Sequence, residues 1–416
     1  MVSYNNFWID KGWEGLSMLT DTQMDQYADV LFWALRTARR GKFKRKDIVL
    51  IRYDLDAMKM AERLQAKILD MGMHPILRLG LTSHMERIFF EKANSRQLVF
   101  QPPGEKELLE HLNGGIYLHA PDSLTHLADI DPKKIGKAAV ARKPLRDILD
   151  KREEMGVFGW TLCMLPTPAL AKQAKLTMRQ YANQIIKACY LDSDDAVKEW
   201  KAIHKNAVAL KKWMNSMAVS YYHVESNSVD LRITPGQRRK WIGLSGHNIP
   251  SFEIFLSPDW RGTQGVYVAN QPCFRSGNYV KGLRLEFKQG KAIKFEAEEG
   301  EDFVIKQVAM DKGACRVGEF SLTDRRFSKI DRFMAHTLFD ENYGGRYGNC
   351  HIALGASYSD TFDGEPAELT PERKRKLGFN DSALHWDLVN TEKKTVTAHL
   401  TSGRKVVFYE NGMFKY

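Results

Sequence analysis

IVLI at residues 48–51 and PILRL at residues 75–79 decide the fold class of the first half of this chain. Short runs of branched apolar side chains are typical of strands that are buried on both faces of a sheet. Between them, residues 55–71 place apolar side chains at four-residue intervals, which predicts a helix that ends at Gly72. A strand, a helix and a second strand in this order predict a parallel pair joined by a crossover helix.

The same alternation extends over the rest of the first half. Residues 21–40 have the apolar spacing of a helix, and residues 116–119 and 159–164 have the composition of further strands. Residues 176–217 predict two more helices. We therefore expect residues 1–220 to form an α/β domain with a mostly parallel sheet and a helical extension.

The pattern changes near residue 220. Residues 229–233 and 283–287 alternate apolar and polar side chains, and glycine-rich turns separate runs of this kind. Alternation with a period of two is typical of strands that have one buried face. We expect residues 221–416 to form a second domain that is β-rich (α+β).

The length and composition are those of a globular protein. A chain of 416 residues is too long for one ordinary core, which favours two domains. An apolar fraction of 43% and a charged fraction of 27% argue against extended disorder. Residues 1–6 show no basic region followed by an apolar run, and the longest nearly uncharged stretch, residues 156–171, contains two prolines and is too short to span a membrane. We therefore expect a cytoplasmic protein without a membrane partner.

The cysteines and the net charge argue against two other classes of protein. Five cysteines lie far apart in the sequence, which disfavours both a disulfide framework and a thiolate zinc site, so we expect free thiols. The formal net charge is +11, but its basic groups, such as residues 42–46, 238–240 and 373–376, are dispersed in predicted loops and helix ends. Phosphate binding requires clustered cations, so we expect no nucleic-acid partner.

Four short segments of the second half combine acids or histidines with strand-like neighbours or glycines. The first two, residues 248–255 and 313–322, each contribute one glutamate. In the third, residues 339–358, two acids precede a glycine-rich loop, and a histidine and Tyr358 follow it. In the fourth, residues 380–387, a histidine and an aspartate two positions apart face the same side of a strand. The candidate metal-binding side chains are Glu253, Glu319, Glu341, His351, His385 and Asp387.

Each of these side chains also has an ordinary interpretation. A single strand glutamate usually faces solvent, and a single histidine usually completes a core or a surface. Six oxygen and nitrogen donors together are too many for one tetrahedral ion, and they suit two adjacent ions that share a carboxylate. Donors of this type favour hard or borderline divalent metals.

The order and the amino-acid sequences of these segments resemble those of the thermophilic metallo-aminopeptidases, the aminopeptidase T, aminopeptidase S and PepS type. The resemblance covers nearly the whole chain and includes residues 166–174 in the first half. In the second half it is carried by residues 248–258, 313–319, 337–342, 350–358 and 382–387.

This resemblance implies a homodimeric, metal-dependent aminopeptidase that hydrolyses the N-terminal peptide bond of peptide substrates. It implies two divalent ions per chain (zinc, cobalt or manganese), held by the six residues named above in a catalytic domain formed by residues 221–416. It further implies that Glu319 bridges the ions, that Glu253 carries a proton, and that Tyr358 donates a hydrogen bond to the tetrahedral oxyanion.

The chain departs from the family pattern at two places. Phe252 occupies the position of an acid that often precedes the first metal-binding glutamate, and residues 343–348 lengthen the loop before His351. Because loops commonly determine specificity, these changes next to the site predict a change in how the substrate is bound. The arginine and the two tyrosines of the longer loop either contact the substrate or only cover the site.

Two other functions remain open from the sequence. A mononuclear non-haem iron dioxygenase that cleaves a hydroxylated pyridine ring resembles the same family, and it would use His351, His385 and Asp387 as its iron ligands. Glu253 and Glu319 argue against it, because a second metal requires them and a single iron does not. A binding protein without activity is less favoured, because every candidate ligand is present.

Overall fold

Helices and strands alternate through the first half of the chain, as the sequence predicts. The computed structural model describes residues 18–416. Residues 1–6, on which the expectation about a secretory signal rests, lie outside the described residues. The elements of this half are α1 (Asp21–Ala38), β1 (Ile48–Tyr53), α2 (Met58–Asp70), β2 (His74–Leu79), α3 (Ser83–Lys92), α4 (Glu105–His111), β3 (Gly114–His119), α5 (Pro132–Glu154), β4 (Gly159–Met164), α6 (Pro168–Gln173), α7 (Met178–Cys189) and α8 (Ala196–Asn215).

Strands predominate in the second half. They are β5 (Val219–Glu225), β6 (Asp230–Ile233), β7 (Ile242–Gly243), β8 (Asn248–Ile249), β9 (Glu253–Leu256), β10 (Gln264–Ala269), β11 (Cys273–Arg275), β12 (Asn278–Val280), β13 (Leu283–Lys288), β14 (Lys291–Glu296), β15 (Val317–Thr323), β16 (Asn349–Gly355), β17 (His385–Asn390), β18 (Thr395–Leu400), β19 (Lys405–Glu410) and β20 (Met413–Phe414). The helices among them are α9 (Glu301–Val308), α10 (Thr337–Asp340) and α11 (Pro371–Leu377).

The first sheet is parallel throughout. Its order is β2-β1-β3-β4-β8, and each neighbouring pair is parallel. The crossover that the sequence predicts is α2, and the chain turns after it at Gly72, which has a φ of 70°. The prediction of an α/β half with a parallel sheet is confirmed. The last strand of this sheet, β8, comes from the second half and joins the two halves.

Helix α1 covers this sheet with the face that its spacing predicts. Its buried side chains include Met24, Tyr27, Leu31 and Leu35, and the helix packs on β4. Thr20 caps its first turn by accepting a backbone N–H with its hydroxyl oxygen. Burial of one apolar stripe against the sheet therefore fixes the orientation of this helix.

Antiparallel sheets form the second half, as the alternating pattern predicts. The larger has the order β14-β13-β10-β6-β5-β18-β19-β20, the smaller has the order β17-β16-β15-β9-β7, and β11 pairs with β12 in a separate hairpin. The buried hydroxyl of Tyr267 in the larger sheet donates to the carbonyl oxygens of Cys350 and Leu388 in the smaller one, at 2.9 and 2.7 Å. The prediction of a β-rich second half is confirmed, and hydrogen bonds of this kind tie its two sheets together.

The described residues bear on two further expectations. No helix among residues 18–416 is long and apolar enough to cross a membrane. All five cysteines are free thiols, and Cys163, Cys189 and Cys350 are buried.

Phe252, where the chain departs from the family pattern, belongs to the core between the two halves. Its side chain is fully buried. Its ring stacks on Trp200 of α8, with ring centroids 5.4 Å apart and an interplanar angle of 20°. Trp200 in turn stacks on Trp33 of α1. Because buried aromatic rings stabilise by removing a large apolar area from water, Phe252 anchors the segment that leads into β9.

Replacing Phe252 with alanine is expected to lower the free energy of unfolding by about 3–5 kcal/mol, because it leaves a cavity beside Trp200. Urea unfolding followed by tryptophan fluorescence measures the change. Phe252→Leu keeps most of the side-chain volume and should lose clearly less stability. An unfolding midpoint in Phe252→Ala equal to that of the wild type would show that the stack contributes nothing.

Candidate metal centre

One face of the smaller sheet collects side chains from adjacent strands. In an antiparallel pair, residues directly opposite each other point to the same face. Ala353 of β16 lies opposite Glu319 of β15 on one side and opposite Asp387 of β17 on the other. His351, two residues before Ala353, points to the same face. Because Ala353 is small, the longer side chains around it can converge.

Two further predicted ligands reach this face from the same strands and from β9. Glu253 of β9 lies opposite Thr323, and His385 of β17 lies opposite Gly355. Thr323 lies four residues after Glu319 on β15, and Gly355 lies two residues after Ala353 on β16, so both point to the same face as those residues. The predicted side chains that share the face are Glu253, Glu319, His351, His385 and Asp387.

The donor atoms of these side chains lie close together. Nε2 of His351 lies 3.1 Å from Oε1 of Glu319 and 3.2 Å from Oε2 of Glu253. Each of these three residues offers one donor atom within 4.8 Å of the others. Nε2 of His385 lies 3.4 Å from Oδ1 of Asp387 and 3.7 Å from Oε2 of Glu319. The two oxygens of Glu319 therefore face two different histidines.

The sixth predicted ligand, Glu341, comes from the end of a helix. It follows α10, and its Oε1 accepts a hydrogen bond from Nδ2 of Asn248 at 3.2 Å. Burial, and then the charges of Glu253 and Asp387, raise the pKa of Glu341 well above its ordinary value, so it shares the electrostatic environment of the cluster. The neighbouring Asp340 has a structural role, because its oxygens accept two backbone N–H groups of the turn before α10.

Burial and mutual charge set the proton affinities in the cluster. Burial raises the pKa of Glu319 to about 7, although the hydrogen bond with His351 opposes the increase. Burial lowers the pKa of His351, but its hydrogen bonds with Glu253 and Glu319 outweigh that effect and raise this pKa well above its ordinary value. Burial disfavours the charged form of Asp387, yet the charge of His385 outweighs it and holds the pKa of Asp387 at about 2. The carboxylates thus compete for the histidines as counter-charges.

The chemistry of the donors fits a divalent metal. Among residues 18–416, the ion-pair partners of these carboxylates are histidines, and none is a lysine or an arginine. Buried carboxylates without compensating cations are strongly disfavoured. Carboxylate oxygens and imidazole nitrogens are ligands that zinc, cobalt and manganese accept. A divalent cation therefore suits this cluster.

Tyr358 lies beside the cluster, in the turn after β16. Its backbone N–H donates to Oγ of Ser257 at 2.8 Å, and its ring centroid lies 4.8 Å from that of His385. The residue is 38% exposed, and its ring also packs against that of Phe255. Removal of the hydroxyl from water, followed by the charge of Glu319, raises the pKa of Tyr358 well above its ordinary value. The hydroxyl therefore stays protonated near neutral pH and can donate a hydrogen bond.

Asn342 fixes the backbone of the first ligand strand. Its Oδ1 accepts the backbone N–H groups of Phe252 and Glu253, at 2.5 and 3.0 Å. Its Nδ2 donates to the carbonyl oxygen of Leu338 at 3.0 Å and to Oε1 of Glu341 at 3.4 Å. One buried amide thus links the strand of one predicted ligand to the helix of another. In the sequence, Asn342 directly follows a predicted ligand, which is the only local signal of this role.

Asp311 and Asn380 join the loops that lead into the other ligand strands. The carboxylate of Asp311 accepts hydrogen bonds from Oγ of Ser382 at 2.9 Å and from the backbone N–H of Gly313 at 2.8 Å. Nδ2 of Asn380 donates to the carbonyl oxygens of Gly313 and Gly355, at 2.8 and 2.5 Å. The loop before β15 is thereby tied to the loop before β17 and to the end of β16. Asp311 lies outside the segments that the sequence singles out, because only the tertiary structure brings it to them.

Gly318 and Gly355 let these strands and loops approach each other closely. A Cβ atom at Gly318 would lie 2.2 Å from the carbonyl oxygen of Ala356. Gly355 has a φ of 106°, and a Cβ atom there would lie 2.1 Å from the carbonyl oxygen of Leu384. The β15–β16 ladder also shifts register at Gly318, a bulge that directs Glu319. The glycine next to Glu319 is therefore required by the close approach of two backbone segments.

The longer loop, residues 343–348, attaches to the segment after β15. The backbone N–H of Gly344 donates to the carbonyl oxygen of Ile330 at 2.8 Å, and the carbonyl oxygen of Arg346 accepts from Nη1 of Arg325 at 3.1 Å. Within the part of the chain that the structure describes, no hydrogen bond or ion pair joins a side chain of this loop to the six predicted ligands. Contact between this loop and a substrate stays a prediction.

The chain matches the family model described as thermophilic metalloprotease (M29) over residues 20–414. It belongs to this family. The M29 chain is 28% identical to aminopeptidase T of Thermus aquaticus over 305 residues, which cover 69% of this chain and 72% of that protein. It is 25% identical to aminopeptidase 2 of Geobacillus stearothermophilus over 347 residues, which cover 78% and 82% of the two chains. Its fold is similar to that of wild-type AmpT from Thermus thermophilus, with a TM-score of 0.73, 21% identity, and coverage of 94% of this chain and 99% of that one.

These comparisons decide between the functions that the sequence leaves open. The resemblance to thermophilic metallo-aminopeptidases is confirmed, and the M29 chain is a metal-dependent peptidase, an enzyme of the hydrolase class. Membership of the family implies use of a divalent metal. The dioxygenase has no support from the relatives named above, because each carries the name of an aminopeptidase.

Asn342→Ala is expected to lower the free energy of unfolding by about 2–6 kcal/mol, because two buried backbone N–H groups lose their acceptor at about 1–3 kcal/mol each. The displacement of Glu253 should also weaken metal binding. Urea unfolding and the metal content of the purified protein measure the two effects.

A suitable control is Asn270→Ala, because the exposed Asn270 also accepts a backbone N–H, that of Thr391. It should change the free energy of unfolding by no more than about 0.5 kcal/mol. If both variants lose the same stability, Asn342 has no special role in holding the site.

Proposed function

We propose that this M29 enzyme is an aminopeptidase that removes the N-terminal residue of peptides with two divalent ions per chain. The observation that carries the proposal is the position of Glu319, whose carboxylate oxygens face His351 and His385 separately. A carboxylate in this position suits a ligand that two adjacent ions share. The names of the relatives, aminopeptidase T and aminopeptidase 2, support the reaction class.

The other predicted ligands divide into two groups on either side of this shared glutamate. Glu253 and His351 form one group, with Oε2 and Nε2 3.2 Å apart. His385 and Asp387 form the second group, with Nε2 and Oδ1 3.4 Å apart. Glu341 completes the set, since it is buried in the field of the same carboxylates. Zinc, cobalt or manganese suit these donors.

Divalent ions bound here would polarise the scissile carbonyl group and supply a nucleophilic water at neutral pH. The protonated hydroxyl of Tyr358 donates a hydrogen bond to the substrate oxygen that becomes negative as the carbonyl carbon turns tetrahedral. Glu253 accepts the proton of the attacking water and passes it to the leaving amine. The hydroxyl of Ser321 donates to Oε2 of Glu253 at 3.3 Å and orients it for this role.

Glu319→Gln keeps the size of the side chain but removes the charge that the two ions share. The variant is expected to lose at least one of two bound ions per chain, and peptide hydrolysis should fall by roughly 100- to 10,000-fold. Elemental analysis of the purified protein and release of the N-terminal residue from short peptides measure the two quantities. Glu286→Gln, on β13 of the larger sheet, is the matched control and should retain both.

Two results would contradict the proposal. One is full hydrolysis by Glu319→Gln. The other is no hydrolysis by the wild type with any of zinc, cobalt or manganese; one iron per chain with uptake of oxygen would then favour the dioxygenase.

We also propose that the enzyme is a cytoplasmic homodimer. The outer edge of β2 has no strand partner among residues 18–416, and Leu79 on this strand is 47% exposed. Leu81, at 57%, and Met85, at 54%, continue the exposed apolar side chains into α3. An unpaired strand edge with apolar side chains commonly marks an interface between chains. Free thiols support a reducing compartment.

Leu79→Asp is expected to convert the dimer to a monomer, because a charge at a buried interface loses its hydration. Size-exclusion chromatography with light scattering measures the mass. Val208→Asp, on the exposed face of α8, is the control and should remain a dimer. A dimer that persists in Leu79→Asp at low protein concentration would place the interface elsewhere.

A further inference from the structure

A cavity of about 170 Å³ lies between the two halves. Its walls include His119 at the carboxyl end of β3, Arg275 at the end of β11, and His336 and Thr337 at the start of α10. The carboxyl ends of parallel strands are common places for ligands in α/β sheets. Two elements link the cavity to the metal centre: Thr337 begins α10, which ends just before Glu341, and Arg275 lies over the ring of Trp386, which stands between two predicted ligands in the sequence.

Arg275 is a cation without a partner in this cavity. Its Nε is buried and makes no hydrogen bond, and no hydrogen bond or ion pair to its guanidinium group occurs among residues 18–416. The group lies over the ring of Trp386, 5.5 Å from the ring centroid. Burial lowers the pKa of Arg275, but a guanidinium group remains protonated in proteins. Its fork of N–H donors is therefore charged and available to an anion.

The two histidines of the cavity supply hydrogen-bonding groups without charge. Burial, and then the neighbouring His119, lower the pKa of His336 to about 3. Burial also lowers the pKa of His119. Nδ1 of His336 accepts the backbone N–H of Leu338 at 3.3 Å, so the proton of the neutral ring sits on Nε2, where it can be donated. Arg275 thus carries the one permanent charge among the residues that line the cavity.

We propose that this cavity binds a carboxylate of the peptide substrate, with Arg275 as the group that pairs with it. The inference rests on the proposed function, because it assigns a binding site to a further group of the peptide substrate. Arginine binds a carboxylate through two parallel hydrogen bonds, and the half-buried guanidinium group of Arg275 makes no other hydrogen bond that would compete with them. Two carboxylates have this chemistry: the C-terminus of a short peptide, and the side chain of an acidic residue.

An alternative role for Arg275 is electrostatic stabilisation of the Asp387 carboxylate without direct contact. Asp387 is a predicted ligand, and the charge of Arg275 contributes to its low pKa. In that case, loss of the charge would weaken metal binding and would slow hydrolysis of all peptides equally. Substrates that differ only in the carboxylate separate this role from substrate binding.

The test compares Leu-Leu, Leu-Leu-amide and Glu-Leu-amide as substrates of the wild-type holoenzyme, Arg275→Gln and Arg275→Lys. We expect Arg275→Gln to raise KM for Leu-Leu by roughly 10- to 100-fold, with the KM for Leu-Leu-amide, the kcat values and the metal content unchanged. Arg275→Lys keeps a charge without the fork and should restore part of the binding. Arg284→Gln removes an arginine that pairs with Glu296 on the larger sheet and serves as the control.

The outcomes separate the alternatives. A selective loss for Glu-Leu-amide supports a carboxylate site but assigns it to an acidic side chain. An equal loss for acid and amide peptides, or a lower metal content in Arg275→Gln, overturns the proposal. If the wild type hydrolyses no peptide, the proposed function fails, and calorimetric titration with N-acetyl-Leu-Leu and its amide still decides this inference. The site is supported if the wild type binds the acid more tightly than the amide and Arg275→Gln does not. Equal binding of the acid and the amide by the wild type overturns it.

Discussion

Carboxylates buried together on one sheet face are the constraint on which the second half of the molecule depends. Glu253, Glu319 and Asp387 come from separate strands, and Glu341 joins them from the end of α10. Like charges in an enclosed site repel strongly, and two histidines can compensate only part of the charge of four carboxylates. A cation that binds only the folded state offsets this repulsion, so folding and metal binding are thermodynamically linked.

Polar side chains around the cluster hold the backbone in place against this repulsion. Asn342, Asn380 and Asp311 direct their hydrogen bonds mainly to backbone N–H and C=O groups of the ligand-bearing segments. Because these groups are satisfied in the fold, the strands cannot separate without leaving buried polar atoms unpaired. The metal-binding side chains are thus positioned by residues that need not bind metal themselves.

The sequence predicts those features that depend on regular spacing. The alternation of a strand places His385 and Asp387 on one face, and four-residue spacing with Gly72 places α2. The alignment of neighbouring strands follows from no local pattern, because it depends on the bulge at Gly318 and on contacts across the sheet. The two-residue strand β8 is too short to show a period, so its pairing with β4 of the other half could not be predicted.

Arg275 shows why part of the site is invisible in the sequence. It is one of many basic residues in a basic chain, and its strand β11 has only three residues. Its significance comes from the absence of any hydrogen bond or ion pair to its guanidinium group in the described fold, a property of the surroundings and not of the residue. An acid placed next to it would stabilise the free protein but would compete with the carboxylate of a substrate. A bound peptide that lacks the carboxylate would cover the guanidinium group without pairing it, and the cost of that unpaired charge would discriminate between substrates.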